Sequence, residues 1–326
     1  MSLSAPSGSG LQHDAFFYDD EEALFASAVP FVREGVESGD VVLVNTGEHP
    51  VTGLLKAVFA DEEQVVFSDS SAYVKPVRAI DEYKRTMDRG LAAGVPGFRA
   101  IGTIDFDNTA LPWTEWVHYE AAVNRVFANY PFKTMCLYDT HAVAPEIVTA
   151  LRQAHPAVIE GGGGGGVKNP EHVEPAELLT EPELAQRLEP LRDGPAQLEL
   201  DEVADLRHLR IDLYPATIFT GLPRATVDDF VKAVSEVVAN ACTHGEGPVR
   251  VRLWTTADRL VCTVTDQGPG IDDPLQGYAR SIGSATTPSL STHEGLGLWA
   301  ARQLCDILDY ERTDDGFTVR LVAFAD

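Results

Sequence analysis

Glu160 is followed by six consecutive glycines, Gly161–Gly166, and no helix or strand interior tolerates so large a loss of conformational entropy. A packed core cannot run through such a stretch, so the chain divides there. As a free coil the run would span a root-mean-square distance on the order of 14 Å. The residues that follow, Val167–Asp193, are acidic and carry several prolines, which extends the break. The expected organisation is a first domain at 11–158, a Gly-rich flexible linker at 159–195 and a second domain at 196–326. With 326 residues in all, each half is long enough to bury a core of its own.

The formal net charge is −25, shared between the two halves rather than concentrated in a tail. A field of that sign disfavours direct binding to nucleic acid or to an anionic membrane surface. It leaves room for a protein partner or for an anionic ligand that brings its own metal. Cys136, Cys242, Cys262 and Cys305 form no CxxC pair, so buried reduced thiols are expected rather than disulfides or a zinc ribbon. No basic segment followed by an apolar core opens the chain, and no apolar run approaches the ~20 residues of a membrane span. A cytoplasmic location is the expectation.

Before the glycines, helical and strand-like stretches alternate. Glu21–Glu37, Val51–Phe59, Val77–Ala93, Trp113–Ala128 and Ala144–Gln153 have helical periodicity, and Val41–Val44, Gln64–Phe67, Phe98–Ile104 and Thr134–Tyr138 are short apolar runs. Continuous apolar strands between helices predict a parallel sheet covered on both faces, an α/β three-layer domain. In such sheets ligands bind beyond the carboxyl ends of the strands, which makes Asp139 the best single candidate there. The segment Gly47–Lys56 lacks the Gly-Lys-Ser/Thr of a phosphate loop, so no nucleotide is expected in this half.

His13-Asp14…Tyr18, the Val41–Thr46 strand, Tyr119-Glu120…Asn124, Cys136-Leu137-Tyr138-Asp139 and His155-Pro156 together resemble the MEDS domain, a RecA-like sensory fold of bacterial and archaeal regulators. The resemblance implies a signal-input role with a small-molecule ligand, and makes His13, Glu120, Cys136 and Asp139 the sensory candidates. Each has a plainer reading beside it. His13 suits a surface or capping position, Glu120 and Asn124 an ordinary helix face, Cys136 the core, and His155 a helix end.

In the second half Asp201–Arg210 reads as an amphipathic helix, and Thr226–Thr243 as a longer one with Thr226 and Asp229 as its capping signal. Val249–Thr255 and Leu260–Thr265 alternate as a hairpin, and Ile307–Arg312 with Phe317–Phe324 close the chain as strands. Three signals follow one another in a fixed order. Glu236 and Asn240 lie one helical turn apart and offer a carboxylate and an amide on one face, oxygens of the type Mg²⁺ prefers. Asp266-Gln267-Gly268-Pro269-Gly270 ends a strand with an acceptor for an exocyclic amine and glycines that admit a close backbone approach. After a stretch of Gly, Ser and Thr long enough to act as a lid, Gly295-Leu296-Gly297-Leu298 opens a helix whose N–H groups and dipole favour phosphate. Taken singly, each is often just a helix face, a tight turn or a helix start.

In that order, together with Asp205-Leu206-Arg207…Leu209-Arg210 and Ser235-Glu236…Asn240-Ala241…His244-Gly245, they resemble the GHKL ATPase superfamily, the Bergerat-type α/β sandwich, and within it the anti-sigma-factor serine/threonine kinases. The resemblance implies ATP and Mg²⁺ as cofactors. Asn240 would hold Mg²⁺, Glu236 would orient or deprotonate the attacking hydroxyl, and Asp266 would read the adenine amine. Gly268, Gly270, Gly295, Leu296 and Gly297 would shape the pocket, and Thr318 would reach the base through water. It implies an anti-sigma-factor antagonist and a sigma factor as protein partners, and allows a homodimer. A nucleotide-binding partner switch without catalysis is one alternative. A histidine kinase-like sensor is another, although His208 is not followed by the acidic residue and proline of a phosphoacceptor box.

Overall fold

The computed structural model describes residues 10–68, 75–109, 111–160, 165–180, 190–203, 205–280 and 296–325. Two compact units result, residues 1–181 and 182–326.

The first unit alternates β1 (Gln12–Tyr18), α1 (Glu21–Ser38), β2 (Val41–Asn45), α2 (Pro50–Phe59), β3 (Val65–Phe67), α3 (Pro76–Ala92), β4 (Phe98–Thr103), α4 (Trp113–Val126), β5 (Phe132–Asp139) and α5 (Pro145–Ala154), followed by β6 (Ala157–Val158), β7 (Val167–Lys168) and α6 (Pro175–Leu178). Its sheet runs β3-β2-β4-β5-β1-β6-β7 and is parallel except for the last pair. The alternating side chains of each strand serve opposite faces. Phe16, Tyr18, Met135 and Leu137 join Leu24, Ala28 and Val32 of α1 and Val51 and Leu55 of α2 in one core, while His13, Cys136 and Tyr138 face α4. Arg99, 3 % exposed, is held from β4 by Asp40 (3.1 Å) and Glu34 (3.2 Å).

Two expectations are corrected here. The polar start Gln12-His13-Asp14 predicts no strand at the position of the interior strand β1; His13 and Asp14 are nonetheless buried within it. The stretch 159–195, expected as one flexible linker, is in part structured. Val158 pairs with Val167 and Ala157 with Lys168, antiparallel, so the glycine run connects two neighbouring strands of the same sheet. The Gly166 N–H donates to Asp14 Oδ2 (3.1 Å), and the Asn169 side chain donates to the carbonyls of Arg152 and His155.

The second unit contains a 3-10 turn at Pro190–Asp193, β8 (Leu198–Leu200), α7 (Leu206–Ala216), α8 (Arg224–His244), β9 (Arg250–Thr255), β10 (Arg259–Asp266), α9 (Leu296–Leu304), β11 (Ile307–Thr313) and β12 (Gly316–Phe324). Its antiparallel sheet has the order β11-β12-β10-β9-β8. Phe230, Val234, Val237 and Val238 of α8 pack with Val251, Leu253, Cys262 and Val264 of the sheet, the helical stripe meeting one strand face. The helix begins two residues before the expected Thr226. Pro223 is its N-cap, and its side chain, which has no hydrogen-bonding atom, makes no cap bond. Cys242 is exposed, whereas Cys262 and Cys305 are buried as expected. Among the described residues no helix is long and apolar enough to cross a membrane.

Candidate functional site

Packing of α8 on the sheet leaves one side of its last two turns open. There a cavity of about 300 Å³ is lined by Asn240, Asp266, Gly270, Leu298 and Phe317 among others. Three stretches far apart in sequence therefore meet at one void: the end of α8, the turn after β10 and the first turn of α9. Asn240 is half-buried, and its amide makes no hydrogen bond among the described residues. Asp266 is 6 % exposed and uses Oδ1 to accept the Gly268 N–H (2.7 Å), an arrangement that fixes the carboxylate at the cavity wall.

The glycines earn their positions by close approach. A Cβ on Gly268 would lie 2.6 Å from the Gly245 Cα, and one on Gly245 would lie 2.5 Å from Asp266 Oδ1. Gly270 has φ +78° and faces the Phe317 ring, a conformation that disfavours any side chain. A Cβ on Gly297 would fall 2.7 Å from both Asn240 amide heteroatoms, so the start of α9 rests directly on that side chain. Of these glycines, Gly245 and Gly270 line the cavity itself, between the side chains of Asn240, Asp266 and Phe317.

Not every expected residue gathers there. Glu236 is half-buried, one turn before Asn240, and is not among the residues lining the cavity. Its carboxylate makes no hydrogen bond or ion pair among the described residues. Thr318 is corrected: it lies across from Thr265 and the two hydroxyls are 2.8 Å apart, whereas its neighbours Phe317 and Val319 line the cavity. Strand alternation turns Thr318 to the opposite face of the sheet. Gly295 lies outside the described residues, and Leu296 is described only as the first residue of α9. The one cation in the described lid segment, Arg280, is exposed and stacks over the Trp299 ring (4.0 Å). His208 is exposed on α7, 2.5 Å from the N-cap Asp205.

In the first unit a second group converges inside the α4 face of the sheet. His13 is 1 % exposed, Glu120 2 % and His155 fully buried, with Cys136 beside them. Glu120 Oε2 lies 3.1 Å from His13 Nε2 and 3.6 Å from His155 Nε2. Cys136 Sγ is 3.5 Å from His13 Nε2 and 3.9 Å from Glu120 Oε2. Tyr138 donates to the other Glu120 oxygen (2.8 Å). Burial, with the neighbouring His155, lowers the pKa of His13, so the ring is neutral near pH 7. Burial first, then Glu120, pushes the Cys136 thiol well above its ordinary range.

The sequence candidates His13, Glu120 and Cys136 thus meet, but Asp139 does not join them. It stands at the carboxyl end of β5 and accepts the His141 N–H (2.8 Å) in its own turn. Asp139, expected at a strand-end site, thus stands apart from the group buried beneath α4. His155, next to Pro156, suits a helix end in the sequence and does follow α5 directly; the packing of α5 on the sheet carries it to Glu120.

Comparison with protein families places both halves. Residues 12–156 match the MEDS model, the methanogen/methylotroph, DcmR sensory domain. Residues 198–323 match the histidine kinase-like ATPase domain. No curated protein sequence matches the chain. A cavity walled by Asp266, Asn240 and glycine backbone lies inside the second match, and the His-Glu-Cys-His cluster inside the first. The chain therefore carries an N-terminal stretch that matches the MEDS sensory domain and a C-terminal stretch that matches the histidine kinase-like ATPase domain.

Proposed function

We propose that the second unit binds Mg-ATP and phosphorylates a serine or threonine of an anti-sigma-factor antagonist, that the chain sequesters a sigma factor, and that the first unit gates both. The observation that carries this reading is the unengaged Asn240 amide, which lines one cavity with Asp266. The residues fit the ligand: glycine backbone occupies the wall where any Cβ would collide, and an amide oxygen is available for a hard cation. Asn240 would hold Mg²⁺, which when bound would neutralise the phosphates. Asp266 would accept from the adenine amine. Glu236, with its free carboxylate, would take the proton of the attacking hydroxyl as its oxygen bonds to the γ-phosphorus and ADP leaves. The adjacent Ile218 and Phe219 after α7, 73 % and 83 % exposed, supply apolar surface suited to a protein partner or a second copy.

One observation favours a second reading, a nucleotide-dependent partner switch without catalysis. Glu236 is not among the cavity-lining residues, and the lid cation Arg280 is stacked on Trp299. The test uses the full chain, radiolabelled ATP, Mg²⁺ and candidate antagonists. Transfer of label that Glu236→Gln abolishes, with ATP binding kept, is the expected result. ATP bound but never transferred selects the switch. Absence of any thermal shift with saturating Mg-ATP overturns both.

A further inference from the structure

We propose that His13, Glu120, Cys136 and His155 of the first unit form a tetrahedral binding site for a divalent transition-metal ion of the zinc class. Their four ligand atoms lie within 4.8 Å of one another. The separations of 3.1, 3.5, 3.6 and 3.9 Å among them approximate the edges, roughly 3.3–3.6 Å, of a tetrahedron with metal–N and metal–O bonds of about 2.0–2.1 Å and a metal–S bond of about 2.3 Å. The donor set, two imidazoles, a carboxylate and a thiolate, suits a borderline-soft ion rather than Mg²⁺ or Ca²⁺.

The hydrogen bonds around the cluster aim both rings at its centre. Asn124 donates its amide protons to the carbonyls of Ala154 (2.7 Å) and Glu120 (3.3 Å), so its oxygen must accept from His13 Nδ1 (2.8 Å). His155 Nδ1 faces the Leu151 carbonyl (2.7 Å), which can only accept. Each Nδ1 therefore carries a hydrogen, and each ring turns its Nε2 toward Glu120 Oε2. This is the outer-shell pattern that fixes the tautomer of metal-ligating histidines. A single proton between Glu120 and His13 serves one of the two ring contacts and not the other: His155 Nε2 is fully buried without a hydrogen-bond partner among the described residues. At 3.6 Å its approach to Glu120 is beyond hydrogen-bond range.

A divalent ion satisfies all four atoms at once. Its two positive charges would balance one carboxylate and one thiolate, giving a neutral centre where an isolated buried charge is costly. On binding, the Cys136 proton and the proton shared by Glu120 and His13 would pass to solvent or buffer as the four atoms coordinate. The ligands come from β1, α4, β5 and the end of α5, so the ion would join the sheet to two helices. A cavity of about 30 Å³ borders His13, Glu120 and Cys136, room for one or two waters at most. The segment after the glycine run holds the His155 carbonyl through Asn169 (2.8 Å), so occupancy would also bear on the chain leaving this unit.

The test uses tag-free full-length protein stripped with chelator and titrated with Co²⁺ and Zn²⁺. One equivalent of Co²⁺ is expected, with visible d–d bands of tetrahedral intensity and a near-ultraviolet thiolate-to-cobalt band, displaced by one equivalent of Zn²⁺. Cys136→Ser should abolish the thiolate band, and Asn124→Ala, which touches no metal, should weaken affinity about 10–100-fold. Melting curves of the stripped variants establish that they fold. No stoichiometric binding by the parent chain, or a cobalt spectrum unchanged by Cys136→Ser, overturns the proposal.

Discussion

The first turn of α9 rests on the side chain of Asn240: a Cβ at Gly297 would sit 2.7 Å from the amide nitrogen and oxygen alike. That contact makes the glycine a determinant of where the amide points. Gly297→Ala must displace Asn240 or the helix, since neither partner is a long flexible chain. We expect Mg-ATP affinity to fall about tenfold or more, at the scale of overpacking a tight contact by about 1–3 kcal/mol. Isothermal titration of the variant checks it, with the melting of the first unit unchanged.

Asp266 has two roles that one substitution separates. Its Oδ1 accepts the Gly268 N–H at 2.7 Å, and the carboxylate also lines the cavity. Asp266→Asn retains one oxygen for the turn and places a donor where an adenine amine needs an acceptor. ATP affinity should fall by about 1–3 kcal/mol, the cost of an unmatched polar group, while the fold is kept. Asp266→Ala loses both contacts and should lower the melting temperature as well. Equal affinities for ATP in the parent and Asp266→Asn would remove Asp266 from base recognition.

Thr318 supplies the opposite control. Its hydroxyl meets Thr265 at 2.8 Å across the strand pair, on the face of the sheet away from the cavity. Thr318→Val should leave ATP affinity unchanged and cost about 0.5–1.5 kcal/mol of stability through the lost hydrogen bond. Denaturant unfolding and nucleotide titration of the same preparation measure the two quantities.

The contrast between Asp266 and Thr318 shows what a linear reading carries. Asp266, Gly268 and Gly270 are close in sequence, so their turn and its chemistry are local and legible. Asn240 and Gly297 meet only through tertiary packing, yet each sits in a short motif with its own signal. Thr318 is one residue from a cavity-lining position, and a one-residue shift on a strand reverses the face. The same limit applied in the first unit. Alternating helices and apolar strands disclosed the parallel sheet, but β1 begins with Gln12-His13-Asp14 and carried no strand signal. Tyr138 and His155 stand in motifs of the MEDS resemblance, but nothing local marks them as neighbours of Glu120, because α4 and α5 are brought together only by the fold.

The glycine run gives the last prediction. Read as a tether, any of its residues could become alanine without consequence. The paired strands on either side, Val158 with Val167 and Ala157 with Lys168, instead make its end a fitted position. A Cβ on Gly166 would lie 2.5 Å from the carboxyl carbon of Asp14, and Asp14 is 2 % exposed, with Oδ2 accepting both the Gly166 N–H (3.1 Å) and the Gln12 amide (2.7 Å). The buried carboxylate is held through Oδ2, so the added methyl must displace it or the strand that carries Gly166. Gly166→Ala should therefore cost about 1–3 kcal/mol and loosen the β6–β7 pair. Lys168 is exposed on β7, so limited trypsin digestion reads this directly: cleavage after Lys168 should accelerate in the variant. Identical digestion and melting for both proteins would restore the plain tether.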